Sequence, residues 1–339
     1  MTRNHVAIAA VVASTSMWIA LAYDQRPAYH VTPELGQWMN DPNGPMYFNG
    51  YYHLFFQNNP YGTVWGNMSW AHVISQDLVH WERLPVAMYA DKDFDVGGVF
   101  SGSAAIQTGI PYLFYTCVNA DGVQLQCVAR PQDAKNATLE NWFKYRSNPV
   151  IPAMPAGGDG INFRDPTVWD LSQERGAWNM ITAATNGHED PTSAGNGIVA
   201  LYATSNEKFP FGWSYSSALW SSDNPTAGFH TWMVECPDFF SGAPSAEFQR
   251  DAGDKYVLKY SIMETWQEFY EVSFLFALYC ARLFSQIIRS SVTLQSRACE
   301  LIMFAGFLLL VSFTLVSQVG AYTANKCAAA DVTSESTSH

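Results

Sequence analysis

The chain has 339 residues, enough for one large domain or two smaller ones. Hydrophobic residues make up 48% and aromatic residues 15%, so a sizeable core can form. The net charge of −12 repels a phosphate backbone, which excludes nucleic acid as a partner and suits a secreted enzyme with a neutral substrate. In chain order, Arg3 and His5 come first, ahead of an apolar run from Val6 to Ala22 that ends in Ala20-Leu21-Ala22. A basic start, an apolar stretch and a small-x-small exit describe a secretory signal peptide over residues 1–22. Two sequons, Asn67-Met68-Ser69 and Asn136-Ala137-Thr138, agree with secretion.

From Gln37 to Val272 the pattern is β-structure. Short aromatic and β-branched runs alternate with Gly, Pro, Asn and Asp clusters. Phe48-Asn49-Gly50 followed by Tyr51–Phe56 reads as a hairpin. Ser101–Ile106, Tyr112–Cys117 and Val123–Ala129 read as a three-stranded meander with turns at Thr108–Pro111 and Asn119–Gly122. Such strands suit a sandwich, a barrel or a propeller. Cys117 and Cys127 flank the second of those turns, and facing strands there are compatible with a disulfide or with two buried thiols. After Val272 the character changes. Phe274–Ile288 is apolar, and the uncharged segment 301–322 is long enough to cross a bilayer, so residues 273–339 read as an apolar, helical tail with a possible membrane attachment. The end from Ala328 to His339 is small and polar.

Three local motifs carry chemistry. Trp38-Met39-Asn40-Asp41-Pro42-Asn43-Gly44 runs from a strand-like approach into turn residues. Phe163-Arg164-Asp165-Pro166 sets an Arg beside an Asp, an arrangement expected to keep that carboxylate ionised and to bind hydroxyls. Val234-Glu235-Cys236-Pro237-Asp238 sets a Glu on an apolar strand, the poorly solvated environment suited to a proton donor. Gln57, Trp65, Trp70 and Phe100-Ser101-Gly102-Ser103 add the amides, hydroxyls and rings of a sugar pocket. His53, His72 and His80 have strand spacing and read as core or surface residues, and Asp159, Asp190 and Asp238 read as turn formers.

These motifs, in this order, resemble glycoside hydrolase family 32, the invertase and fructan-hydrolase family. HLFFQNNPYG, WGNMSWAHVISQDLVHW and VFSGSA between them fit as well, and the resemblance covers Tyr29 to Val272. It implies an all-β fold, a five-bladed β-propeller over residues 23–272, and no cofactor or metal. It implies a fructoside substrate such as sucrose or a β-fructan, with Asp41 as nucleophile, Glu235 as acid/base and Asp165 as transition-state stabiliser. Asn40, Gln57, Trp65, Phe100, Ser101 and Arg164 would line the fructosyl pocket. Retention of configuration needs the nucleophile and acid carboxyls about 5–5.5 Å apart.

The departures are Trp70-Ala71-His72-Val73, where the family usually has Trp-Gly-His-Ala, and the end of the resemblance at Val272. The family's last blade and following β-sandwich have no counterpart in the sequence, so the propeller reads as incomplete. The alternatives are fructosyl transfer by the same intermediate, or an inactive, truncated or membrane-tethered sugar-binding relative.

Overall fold

The structure is a computed structural model and describes residues 27, 30–170, 177–187, 195–223, 229–241 and 255–274. The chain divides into two compact units, Met1–Tyr279 and Cys280–His339, and all of the second lies outside the described residues. The expected signal segment 1–22 and the expected apolar span 301–322 lie outside them too. Among the described residues there is no helix long and apolar enough to cross a membrane.

The described elements are all strands, in four consecutive antiparallel sheets. Sheet I orders β1 (Trp38–Phe48), β2 (Tyr51–Asn59), β3 (Ser69–Ser75) and β4 (Glu82–Met88). Sheet II orders β5 (Gly98–Gln107), β6 (Ile110–Val118), β7 (Gln124–Pro131) and β8 (Trp142–Lys144). Sheet III runs β9 (Gly158–Asp170), β10 (Ala177–Asn186), β11 (Asn196–Ser205) and β12 (Ser214–Ser221). Sheet IV contains β13 (Val234–Ser241), β14 (Lys255–Ile262) and β15 (Gln267–Phe274). Each sheet is a meander, so hairpin chemistry decides the local path. At the β1–β2 corner, Asn49 and Gly50 both take positive φ (47° and 90°), the mirror-image turn that matches strand twist.

Strand alternation explains why the sheets stack face to face. In β2, Phe55 packs toward sheet II with Trp70, Val99, Leu113 and Tyr115, while Phe56 faces the other way with Ala71 and Val73. In β6, Leu113 and Tyr115 face sheet I while Phe114 faces Phe163, Trp178 and Met180 of sheet III and Phe209. In β10, Met180 and Ala184 face sheet II while Ile181 and Ala183 face Phe239, Leu258 and Tyr260 of sheet IV. The three layers between neighbouring sheets are each shared by two of them, which is the propeller-like arrangement expected, here as four blades among the described residues.

Blade IV differs from the others. It has three strands among the described residues, and Phe240, Tyr270 and Val272, on the face turned from blade III, are exposed. The opposite end of the series is covered. Val31 packs on the Phe56 face of blade I, and the Arg83 guanidinium lies 5.8 Å from the Phe56 ring and pairs with Glu34 at 2.7 Å. Cys117 and Cys127 form a disulfide across β6 and β7, which resolves the two alternatives their spacing left open.

Candidate active site

The first strand of every blade carries the same irregularity. Asn40-Asp41 stand opposite the single residue Gln57, Phe100-Ser101 opposite Thr116, Asp165-Pro166 opposite Thr182, and Cys236-Pro237 opposite Tyr260. A two-against-one bulge bends a strand and re-aims its side chains. In β9 and β13 the first bulge residue takes positive φ (Asp165 64°, Cys236 47°) and the second is proline, which has no N–H to leave unpaired. Each of the three carboxylate motifs sits on, or directly beside, one of these bulges. The first strands of successive blades pack side by side, so the four bulges meet.

Their contacts define one polar centre. Ser101 donates from Oγ to Asp41 Oδ2 at 2.7 Å. The Cys236 amide donates to Asp165 Oδ2 at 2.8 Å, and Cys236 Sγ lies 4.0 Å from Asp41 Oδ2. Cys236 therefore touches two of the three carboxylates and is the chain neighbour of the third. Burial pushes the Cys236 thiol well up, as do the negative Asp165, Asp41 and Glu235 around it. The Asp165 amide donates to Thr116 Oγ1 at 2.9 Å, so main chain and side chain of this residue are both fixed.

Arg164 serves a different carboxylate from the one its position suggests. Its Nη2 and Nε donate to Glu235 Oε1 at 2.7 and 3.1 Å, and its Nη1 donates to Gln124 Oε1 and Asn162 Oδ1. The expectation that Arg164 keeps Asp165 ionised holds in direction only: Arg164 acts on Asp165 by its charge, without a hydrogen bond, and burial outweighs it. Burial pushes the Asp165 carboxyl up to about 6. Arg164 and the Cys236 amide pull it down, but less strongly, and Glu235 and Asp41 add to the rise.

The other expected pocket residues fall around this centre. Asn40 Oδ1 accepts from Trp38 Nε1 at 2.7 Å. Gln57 is buried, donates from Nε2 to Val99 O at 3.1 Å, and has its Oε1 without a protein partner. Trp65 is 58% exposed and meets the Phe100 ring edge-on at 5.7 Å, forming an aromatic rim. Phe100 is held by its carbonyl, which accepts from Trp70 Nε1 at 3.0 Å. Gly102 follows the bulge because nothing larger fits: a Cβ there would sit 2.0 Å from Phe114 O. Asp95, fully buried, braces the loop leading to β5 through Lys144 Nζ at 2.6 Å and Tyr115 Oη at 3.0 Å.

Some residues of the centre were not singled out from the sequence. Asn43 lies inside the first motif, accepts from the Gly102 amide at 3.2 Å and leaves its buried Nδ2 unpartnered. Thr116, Gln124 and Gln126 bond to Phe163, Arg164 or Asp165 from blade II; their only signal was polarity at alternate positions of otherwise apolar strands. The residues set aside stay outside the centre. His53 and His72 form a buried pair at 3.1 Å, and His80 pairs with Asp77 on the surface. Asp159 caps a turn by accepting the Ile161 and Asn162 amides. Asp238 accepts from Thr167 Oγ1 at 3.3 Å, and Asp190 lies outside the described residues.

Residues 30–281 match the glycosyl hydrolases family 32 N-terminal domain. The chain belongs to this family. Among curated family 32 relatives, a fructan 6-exohydrolase of Triticum aestivum is 42% identical over 261 residues, 73% of this chain and 41% of its own length. An acid beta-fructofuranosidase AIV-18 of Capsicum annuum is 38% identical over 73% of this chain and 37% of its own. The solved fructan 1-exohydrolase IIa from Cichorium intybus aligns with TM-score 0.61 and 32% identity over 74% of this chain and 44% of that one. This family 32 chain thus spans less than half the length of these relatives.

Proposed function

We propose that this chain hydrolyses terminal β-fructofuranosyl bonds with retention, through a covalent fructosyl intermediate on Asp41. The observation that carries this reading is the convergence at Cys236, whose amide holds Asp165, whose thiol faces Asp41 and whose neighbour is Glu235. A carboxylate that accepts the Ser101 hydroxyl is oriented for attack on an anomeric carbon. Glu235, with its side chain 18% exposed, protonates the leaving oxygen and then activates water, while Arg164 fixes the oxygen it does not use for transfer. Asp165 binds the fructosyl hydroxyls and stabilises the oxocarbenium-like charge. The names of the relatives support a fructoside substrate: solved family members are described in complex with 1-kestose, sucrose and fructosylnystose.

The Cys117–Cys127 disulfide supports folding in an oxidising compartment, and hence secretion, because such bridges persist poorly in a reducing cytosol. The test of function is fructose release from sucrose and from a fructan by the full chain. Wild type should release fructose, and Asp41→Asn should fall to about one-thousandth or less. An unchanged rate in Asp41→Asn, or no release by a folded wild-type chain, overturns the reading.

A further inference from the structure

β9 is the first strand of its blade, so one edge of it pairs with β10 and the other has no strand hydrogen-bonded to it. An unpaired main chain at a buried edge is costly unless something else satisfies it. Two side chains of β7 do so. Gln124 and Gln126 stand two residues apart and leave the same face of β7, toward β9. Gln124 Oε1 accepts from the Phe163 amide at 3.1 Å and from Arg164 Nη1 at 3.2 Å. Gln126 Nε2 donates to Phe163 O at 2.8 Å, and its Oε1 accepts from Thr116 Oγ1 at 3.1 Å. Thr116 Oγ1 in turn accepts from the Asp165 amide at 2.9 Å. Both main-chain groups of Phe163 are thus bonded to glutamine side chains in place of a strand. Gln126, Thr116 and Phe163 are fully buried, so water does not replace these bonds.

We propose that Gln124 and Gln126 are positioning residues: a paired clamp from blade II that sets the main chain of β9, and through it the aim of Arg164 at Glu235 and of Asp165 at the bond being cleaved. This rests on the hydrolytic reading above for its effect on rate, but not for its effect on β9. The two glutamines are used differently. Gln124 acts as an acceptor alone, whereas Gln126 both donates and accepts. The same substitution therefore has opposite consequences. Gln124→Glu keeps both acceptor bonds, and its charge faces the Arg164 guanidinium. Gln126→Glu loses the donor to Phe163 O and turns a carboxylate oxygen toward a carbonyl.

The experiment compares Gln124→Glu, Gln124→Met, Gln126→Glu and wild type in the full chain, reading kcat and KM for sucrose and amide hydrogen exchange at Phe163. Gln124→Glu keeps an acceptor for the Phe163 amide and should keep Phe163 protected. Gln124→Met and Gln126→Glu should lower kcat by roughly 10- to 100-fold with a much smaller change in KM, the signature of a displaced catalytic group. Gln124→Met should also lose protection at the Phe163 amide. Equal loss of Phe163 protection in Gln124→Glu and Gln124→Met, or wild-type kcat and protection in Gln124→Met, overturns the clamp. If Gln124→Met does not fold, the two Glu variants still decide it: Phe163 stays protected in Gln124→Glu and kcat falls in Gln126→Glu, and loss of protection in the first or wild-type kcat in the second overturns the clamp. If Asp41→Asn retains wild-type turnover the hydrolytic reading fails instead, and exchange at Phe163 alone decides the clamp.

Discussion

Arg164 directs its guanidinium away from its neighbour Asp165 and onto Glu235, 71 residues further along the chain, with two nitrogens on one carboxylate oxygen at 2.7 and 3.1 Å. The bulge at Asp165-Pro166 makes this possible, because it turns the Asp165 carboxyl toward the Cys236 amide and leaves Arg164 to span blades III and IV. The pair is mostly buried, with side-chain exposures of 9% and 18%. Arg164→Met leaves a buried carboxylate without its partner and should destabilise the chain by about 3 kcal/mol. Arg164→Lys keeps the charge but loses the two-nitrogen fork, and should lower kcat/KM by roughly 10- to 100-fold. Denaturant unfolding and steady-state kinetics measure the two effects separately.

Asp165 makes stability depend on pH. Its folded-state carboxyl is raised to about 6 by burial, above the ordinary value of 3.8. The native state therefore holds this proton more tightly than the unfolded chain does. The resulting stability is fully present below about pH 4 and is lost as pH rises through about 6, a swing of roughly 3 kcal/mol. Asp165→Asn removes the titration and keeps an oxygen for the Cys236 amide. Its unfolding temperature relative to wild type should be flat below about pH 4 and rise between about pH 4 and 7. A difference independent of pH across that window contradicts the assignment.

Gly102 tests the packing behind the second bulge. A Cβ there would lie 2.0 Å from Phe114 O and 2.8 Å from Tyr115 Cα, both main-chain atoms that no rotamer change can move. Gly102→Ala should destabilise by about 3 kcal/mol or more, read as a loss of soluble protein or a lowered unfolding temperature. Gly109, in the turn between β5 and β6, has open space around its added Cβ but a φ of 77°, so alanine there should cost about 1 kcal/mol. The contrast separates steric from conformational cost.

The Cys117–Cys127 bridge closes a short loop across β6 and β7 beneath Val99 and Tyr115. Replacing both residues with alanine should cost about 2–4 kcal/mol, seen as a lower midpoint of denaturant unfolding. Thiol reductant added to unfolding wild-type protein should give the same midpoint as the double variant. A midpoint unchanged in both would contradict a native disulfide at this position.

Much of the site was legible because its residues are tied to turn and strand chemistry. Asn-Asp-Pro-Asn-Gly, Arg-Asp-Pro and Glu-Cys-Pro break strand alternation with residues that tolerate a bulge, and each does so on the first strand of a blade. The meander from β5 to β7 followed from period-two aromatics and the turns between them. The partner of Arg164 was not legible, since adjacency in sequence says nothing about direction once a bulge intervenes. Gln124 and Gln126 were missed because two glutamines in an apolar strand look like ordinary surface positions until the neighbouring blade buries them. The choice between disulfide and free thiols at Cys117 and Cys127 needed the register of β6 against β7, which pairs Cys117 with Leu125 and Tyr115 with Cys127.

The central claim is that Asp41 forms the covalent bond in a site shared with Asp165 and Glu235. The most direct measurement is mass spectrometry of the full chain quenched in acid during sucrose turnover, followed by peptide mapping. The account predicts one added fructosyl unit on the peptide that contains Asp41, absent from Asp41→Asn and accumulating in Glu235→Gln supplied with an activated fructoside. A fructosyl unit on another residue, or continued turnover by Asp41→Asn, would contradict it.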